Sequence, residues 1–355
     1  MVNIVTDFEF AQREIKHFKI KFDKTLKNLL SKKITEARRI NSELGDMLRV
    51  GADFITNGGK RLRPAFVYFG YKAVRKIINE DTILKASIPI ELLHASALIH
   101  DDVMDNSDTR RGRPTVHKIF GKRLKNDKAG ESLAIVLGDM LLALADETLD
   151  ARIGDVKTFF DEARKEINFG QHLDIVGDSL SEVDNKWITQ VMRYKTAGYT
   201  VEKPLIMGAA LAGATAKTIN NLSRYGINLG IAFQIQDDIL GMFGNEKKVG
   251  KPVDSDLKEG KKTLLVWKTL NNLAQEKRQA DIKRFNSILG NQKLTKSDYV
   301  WCQKLMREVG TVEYCEDKVK SMTKAAKKFL QKIRIDPEAR RYLVGIADYL
   351  VDRNY

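Results

Sequence analysis

The 355-residue chain contains few residues of the kinds that interrupt or cross-link a fold. It has only six prolines and two cysteines, so long stretches can run as uninterrupted helix, and a disulfide framework is not indicated. It has no regular series of short, alternating segments bounded by turn residues, which would predict strands. With 43% hydrophobic and 30% charged residues, the composition favours an all-α protein with a large core.

Signals for secretion or membrane insertion are also scarce. The N-terminal stretch carries Asp7 and Glu9 and has no apolar signal core. The most apolar run, residues 133–145, is too short for a membrane span and contains Asp139. We therefore expect a cytoplasmic protein whose membrane contact is at most peripheral.

The net charge of +14 does not by itself indicate a nucleic-acid partner. Much of the lysine excess lies in the last third of the chain, interleaved with apolar residues at helical spacing, which is typical of solvated helix faces. No nucleic-acid recognition motif accompanies these lysines, and we expect no nucleic-acid partner. A zinc-type His/Cys cluster, a P-loop and a Gly-x-Ser-x-Gly elbow are missing as well.

The sequence does contain an acidic motif at the end of an apolar helical pattern. Residues 88–105 are predicted to be a helix, with Asp101, Asp102 and Asp105 at its C-terminal end. Asp101 and Asp105 are one turn apart, so their side chains project from one face. Three carboxylates this close repel one another, and an all-oxygen site of this kind suits Mg²⁺.

A second acidic pair, Asp237 and Asp238, lies towards the end of an apolar helix predicted over residues 228–243. Either acidic motif alone could be a solvated helix end. The two helices could instead face one another and bracket a metal cluster. We favour the second interpretation because basic motifs accompany both acidic ones.

These basic residues are candidates for binding phosphate. Glycines allow close backbone approach, and guanidinium groups match phosphate oxygens two at a time. Residues 57–64 are predicted to be a loop that enters a helix near Pro64, and residues 110–121 and 244–260 are predicted to be loops. A further candidate, Lys195, precedes Thr196 where a helical pattern is predicted to end, and Lys251 and Lys261 flank the second acidic pair.

Taken in order, the motifs resemble those of the trans-isoprenyl diphosphate synthases, the head-to-tail polyprenyl synthetases. The matching stretches are residues 58–64, 100–105, 108–112, 170–174, 195–196, 233–238 and 250–262. They span about residues 50–265, and we expect a single domain over residues 1–355. One departure is Gly241, where many members of the family have a third aspartate.

The resemblance implies an all-α, single-domain helical bundle around a deep central cavity, assembled as a homodimer. It implies a Mg²⁺-dependent prenyltransferase, with three ions per active site, that joins isopentenyl diphosphate to an allylic diphosphate. The allylic diphosphate is expected to leave, the isopentenyl double bond to attack the resulting cation, and a proton to be lost.

The family's functional residues carry over to matching positions. The implied Mg²⁺ ligands are Asp101, Asp105 and Asp237, supported by Asp102 and Asp238. The residues implied for the allylic diphosphate and the cation are Arg110, Lys195, Thr196, Gln234, Lys251 and Lys261. The residues implied for isopentenyl diphosphate are Gly59, Lys60, Arg63, His94 and Arg111.

Product length is expected to depend on the side chains one or more helical turns before Asp101. Each turn rises about 5.4 Å, so a bulky side chain at a given turn can stop the growing hydrocarbon chain at a given length. Ser96 and Ala97, the fifth and fourth residues before Asp101, are both small, whereas family members that make the fifteen-carbon product commonly have an aromatic there. We therefore expect a product of at least twenty carbons, geranylgeranyl diphosphate or longer. Leu93 and Ile90, one and two turns further from Asp101, are candidates for stopping a longer chain.

Three alternatives remain open at this point. A farnesyl diphosphate synthase would result if a neighbouring helix closed the cavity. A class I terpene cyclase shares one aspartate-rich motif, but its usual second motif has no convincing copy here. A non-catalytic subunit of a heteromeric synthase would normally lack some of the five aspartates that this chain retains.

Overall fold

The computed structural model describes residues 5–76, 79–149, 154–244 and 255–352, and these are almost entirely helical. The first part of the chain contains α1 (Asp7–Ile40), α2 (Ser42–Thr56), α3 (Leu62–Val74), α4 (Glu80–Ala86), α5 (Ile88–Met104), β1 (Thr109–Arg110), β2 (Arg113–Pro114), α6 (Val116–Leu124) and α7 (Asp127–Thr148). The remainder contains α8 (Gly154–Ser179), α9 (Asn185–Val191), a π-helical segment (Met192–Glu202), α10 (Lys203–Leu211), α11 (Ala216–Phe243), α12 (Ser255–Glu259), α13 (Leu264–Gln275), α14 (Gln279–Ile288), α15 (Lys296–Glu308), α16 (Thr311–Gln331) and α17 (Pro337–Val351).

Side-chain caps fix where several helices begin. Thr6 and Glu9 form a capping box at the start of α1, and the Asn41 side chain accepts a hydrogen bond from the Glu43 N–H at the start of α2. Pro64 lies in the first turn of α3, as predicted, where its missing N–H costs no helical hydrogen bond. The prediction of an all-α fold is confirmed.

Three local predictions were wrong. Residues 110–121, predicted to be a loop, form a short antiparallel hairpin followed by α6, because Val116 and Phe120 bury an apolar face. Residues 195–196 lie inside a continuous helical stretch that changes to π form after α9. Residues 244–260, also predicted to be a loop, include the helix α12.

The chain contacts divide the molecule into two compact units. Unit 1 comprises residues 1–161, 204–219 and 335–345, and unit 2 comprises residues 162–203, 220–334 and 346–355. The first acidic motif lies in unit 1 and the second in unit 2. The single domain and the central cavity expected from the resemblance stay predictions.

Within the described residues, one helical stretch, residues 80–104, is long and apolar enough to cross a membrane. However, 72% of its apolar window is buried inside the protein. Burial of this kind is typical of the core helix of a globular protein.

Candidate active site

The C-terminal end of α5 presents the first acidic motif. Asp101 is half-buried, and Asp102 is fully buried. Asp105 caps the helix, and its N–H donates a hydrogen bond of 2.8 Å to the Asp101 carbonyl. This hydrogen bond keeps Asp101 and Asp105 one helical turn apart, as the spacing predicted.

Arg110, on the hairpin that follows, binds two of these aspartates. Its Nε lies 2.7 Å from Oδ1 of Asp102, and its Nη2 lies 3.3 Å from Oδ2 of Asp101. Burial, reinforced by the charges of Asp101 and Asp105, raises the pKa of Asp102 to about 6 although Arg110 opposes the shift. Arg110 therefore does not fully offset the effect of burial and of the neighbouring carboxylates on the pKa of Asp102.

The residues at this end of α5 fit a hard divalent cation. In the described part of the chain, no group donates a hydrogen bond to the buried Oδ2 of Asp102. Among the described residues, no three Asp, Glu, His or Cys side chains form a complete metal site by themselves. This arrangement suits Mg²⁺, which usually takes one or two carboxylates from the protein and further oxygens from a substrate phosphate and water.

A separate basic cluster in unit 1 contains residues predicted to bind isopentenyl diphosphate. Gly58 and Gly59 have positive φ angles of 83° and 90°, which lets the loop before α3 turn tightly. A Cβ added at Gly59 would lie 3.5 Å from both terminal nitrogens of Arg111. The glycine therefore leaves the backbone of this loop open beside the Arg111 guanidinium group, while Lys60 is exposed to solvent.

His94, on α5, faces several arginines at once. Burial holds the pKa of His94 well below its usual range, and the charges of Arg63, Arg111, Arg110 and Arg61 lower it further. The imidazole is therefore neutral at physiological pH. It can still donate one hydrogen bond, while the arginines around it provide a concentration of positive charge that suits a diphosphate.

In unit 2, helices α8 and α11 each approach the π-helical segment closely at a glycine. A Cβ at Gly170 would lie 2.1 Å from the Lys195 nitrogen, and a Cβ at Gly230 would lie 2.5 Å from the Ala197 Cα. Both distances are too short for any side chain. The two glycines thus let three helical backbones come together around residues 195–197, and π-helical segments of this kind are frequent at functional sites.

This close approach positions the polar side chains of the segment. Lys195 Nζ lies 2.5 Å from Asp174 of α8. On the other side, the Thr196 hydroxyl donates to Gln234 Oε1 at 2.6 Å, and Gln234 Nε2 donates to Asp238 Oδ1 at 2.7 Å. Thr196, Gln234 and Asp238 therefore form one hydrogen-bonded chain, which orients an aspartate of the second acidic motif.

Gly241 lies beside a neighbouring carboxylate. A Cβ at this position would lie 2.8 Å from Oδ2 of Asp256, which is carried by α12. A third aspartate at 241 would bring a like charge towards Asp256, whereas glycine leaves that space to it. Lys261 follows α12 and lies 2.6 Å from Glu259. Lys251, also predicted for the site, lies outside the described residues.

The four positions predicted to control product length differ in exposure. Ile90, Leu93 and Ser96 are buried, with Ser96 only 1% exposed. Ala97 is half-buried. Of the four, only Ala97 keeps appreciable accessible surface, and a role in product length stays a prediction for all of them.

Sequence reasoning missed several residues that adjoin the predicted ones. Asp174 and Asp256 lie within the matching motifs, but the sequence alone does not show that Asp174 pairs with Lys195 or that Asp256 lies beside Gly241. Glu91 is a buried acid one turn before His94, and Arg61 is a buried arginine within the glycine-containing loop. A buried charge seldom lacks a partner, but the sequence gives no sign of which charges are buried.

Comparisons with known proteins bear on these observations. Residues 46–306 match the family model described as Polyprenyl synthetase. The geranylgeranyl diphosphate synthase of Saccharolobus solfataricus is 34% identical over 84% of this chain and 87% of that protein. The geranylfarnesyl diphosphate synthase of Aeropyrum pernix is 31% identical over 84% of this chain and 92% of that protein. A crystal structure of a geranylgeranyl pyrophosphate synthase from Corynebacterium glutamicum, complexed with isoprenyl diphosphate and magnesium, has a TM-score of 0.87 at 30% identity and covers 94% of this chain and 99% of that one.

Proposed function

Because this chain belongs to the polyprenyl synthetase family, we propose that it elongates an allylic diphosphate with isopentenyl diphosphate to give a trans-polyprenyl diphosphate. The product has at least twenty carbons. The similarity to enzymes named geranylgeranyl and geranylfarnesyl diphosphate synthases supports a long product. The small residues at 96 and 97 support it independently.

The observation that carries this proposal is the presence of two kinds of diphosphate-binding chemistry on one helix. The end of α5 carries aspartates suited to a metal-bound diphosphate. Two turns earlier, His94 faces arginines suited to a diphosphate bound without metal. A cyclase needs only the first kind, whereas an enzyme that joins two diphosphates needs both.

The protein groups divide the reaction between them. Gly59, Lys60, Arg63, His94 and Arg111 bind and orient isopentenyl diphosphate. Arg110, Lys195 and Lys261 bind the allylic diphosphate and stabilise the charge that develops as it leaves. Thr196 and Gln234 place polar oxygens near the allylic cation. The isopentenyl double bond attacks that cation, and the proton then lost is taken by the released diphosphate.

Mg²⁺ is proposed to bind Asp101, Asp105 and Asp237, with Asp102 and Asp238 supporting these ligands. The orphaned oxygen of Asp102 and the all-carboxylate donor set support this assignment. When bound, the metal supplies positive charge that stabilises the leaving diphosphate. Three ions per active site is the number that we propose.

We further propose a cytoplasmic homodimer. The exposed apolar side chains of α7 support self-association, since Ile135, Val136 and Met140 are 44%, 50% and 37% exposed. Light scattering on the purified protein tests this: a dimer mass that falls to a monomer mass in Val136→Arg is expected, and a monomeric wild type would contradict it.

One assay tests the proposed function. The purified protein is incubated with Mg²⁺, isopentenyl diphosphate and allylic diphosphates of increasing length, and the products are sized. Elongation to twenty carbons or more is expected. A product that stops at fifteen carbons would indicate a farnesyl diphosphate synthase, a cyclic hydrocarbon would indicate a cyclase, and no elongation with any primer would indicate a non-catalytic subunit.

A further inference from the structure

Arg61 is one of the two residues between the predicted phosphate ligands Lys60 and Arg63, yet its side chain does not face solvent. Its side chain is 1% exposed, and its backbone has a positive φ of 56°. This left-handed conformation is unfavourable for a residue with a Cβ and persists only where surrounding contacts impose it. The contacts of Arg61 therefore determine the shape of the loop.

Each of the three guanidinium nitrogens of Arg61 contacts a different helix. Nε lies 2.7 Å from Asp23 of α1, and Nη1 lies 2.5 Å from Glu91 of α5. Nη2 donates to the Ile55 carbonyl, near the end of α2, at 2.8 Å. A side chain committed inward in this way is poorly placed to bind substrate. It ties the loop to α1, α2 and α5.

The same network also reaches the groups predicted to bind the diphosphate. A Cβ at Gly59 would lie 3.3 Å from Nη1 of Arg61, so the guanidinium group lies directly beneath the glycine. Glu91 also acts on Arg111, where its charge opposes the lowering of the arginine pKa by burial and by neighbouring arginines. Glu91 therefore serves both Arg61 and Arg111 and lies one turn from His94.

We propose that Arg61 is a positioning residue for the isopentenyl diphosphate site. Its buried ion pairs with Asp23 and Glu91 hold the loop in the conformation that presents Gly59, Lys60 and Arg63 to the diphosphate. The inference rests on the proposed function for the identity of the ligand. It assigns to Arg61 no contact with the substrate.

The test compares Arg61→Met with wild type in two ways. Steady-state kinetics give separate KM values for isopentenyl diphosphate and for the allylic primer, and calorimetry in EDTA gives the Kd for isopentenyl diphosphate without turnover. The variant is expected to raise the KM and the Kd for isopentenyl diphosphate at least about tenfold. The primer KM and kcat at saturation are expected to change by less than about threefold, since a positioning role affects one substrate.

Three further variants separate this role from a loss of stability. Arg61→Met combined with Glu91→Gln is expected to bind isopentenyl diphosphate more tightly than Arg61→Met alone, because no unpaired carboxylate then remains beside Arg111. Arg38→Met removes an arginine–aspartate pair of the same 2.7 Å length away from the loop and is expected to leave both KM values unchanged. If Arg61→Met does not fold, Asp23→Asn removes one of its partners at a half-buried position and is expected to raise the same KM.

Equal changes in both KM values, or no change in a folded variant, would overturn the inference. A wild type without elongation activity would instead contradict the proposed function. In that case the calorimetric Kd still decides whether Arg61 positions the loop, because binding is measured without catalysis.

Discussion

Two groups of basic residues differ in their surroundings. One is the arginine cluster around His94 in unit 1, and the other is the pair of lysines, Lys195 and Lys261, in unit 2. Around His94, four arginines are close enough to lower the pKa of the imidazole. In unit 2, Lys195 and Lys261 each lie within 2.6 Å of a carboxylate, from Asp174 and Glu259 respectively. The first region gathers four guanidinium groups around one neutral imidazole, although Arg61 and Arg110 are themselves paired with carboxylates, whereas in the second region each lysine lies beside a single acid.

This difference matches the fates of the two diphosphates. The isopentenyl diphosphate stays attached to its carbon chain, and we expect the guanidinium groups of unit 1 to bind it without a metal. The allylic diphosphate must leave, and because acids lie close to the lysines we expect its binding to depend on a divalent cation. The comparison therefore predicts that binding of the allylic diphosphate depends on Mg²⁺ and that binding of isopentenyl diphosphate does not.

The largest effect is expected at the acidic motif. Asp101→Asn should lower kcat by about 100- to 1,000-fold, because a charged group that stabilises the leaving diphosphate through the metal is lost. Asp81→Asn, at an exposed position on α4, is a matched control and should be near wild type. Steady-state kinetics at saturating Mg²⁺ make the measurement, and a loss below about tenfold would contradict the assigned role.

A smaller and selective effect is expected at Arg111. Arg111→Lys keeps the charge but loses the planar fork, so the KM for isopentenyl diphosphate should rise about 10- to 100-fold. The primer KM should stay near the wild-type value. If instead the primer KM rose and that for isopentenyl diphosphate did not, the assignment of the two regions would have to be exchanged.

Product length should change without a large loss of rate. Ala97→Phe is expected to shorten the main product by at least one isoprene unit, since Ala97 retains accessible surface one turn above Asp101. Ser96→Phe is the paired test, and at a position 1% exposed it should also lower the melting temperature through overpacking. Chromatographic sizing of products checks both. An unchanged product in both variants would show that neither position lines the cavity.

The smallest effect is expected at the two cysteines. Their reactivity shows whether a variant in unit 2 has lost activity because a catalytic group is missing or because the protein unfolds. Burial raises the pKa of Cys302 and of Cys315 to about 12, and both thiols are fully buried. At pH 8 they should therefore not react with a disulfide reagent until the protein unfolds, when the pKa returns to about 8.5. Rapid labelling of a variant altered at Lys195 or Asp238 would show that its lost activity reflects unfolding.

Much of the site could be predicted from the sequence because its motifs combine residue type with helical spacing. Asp101 and Asp105 needed only the period of a helix to be placed on one face, and the structure bears out that spacing. The link from Thr196 through Gln234 to Asp238 could not be predicted in this way. It depends on a π-helical segment and on backbone contacts at Gly170 and Gly230, which join residues far apart in the chain.

The hairpin at residues 109–114 shows a second limit. Its glycine and proline indicated a loop, but two paired residues on each side were enough to orient Arg110 towards Asp101 and Asp102. Arg61 shows a third. An arginine beside Lys60 was indistinguishable from a phosphate ligand by type, and only its three buried contacts reveal that it faces inward.

The most direct test of the account measures binding of each diphosphate with and without Mg²⁺. Calorimetry with isopentenyl diphosphate and with a non-reactive allylic diphosphate analogue, each in excess EDTA and in Mg²⁺, gives four dissociation constants. We predict that EDTA weakens binding of the allylic analogue by at least about tenfold and that of isopentenyl diphosphate by less than about threefold. Equal dependence of both ligands on Mg²⁺ would contradict the account.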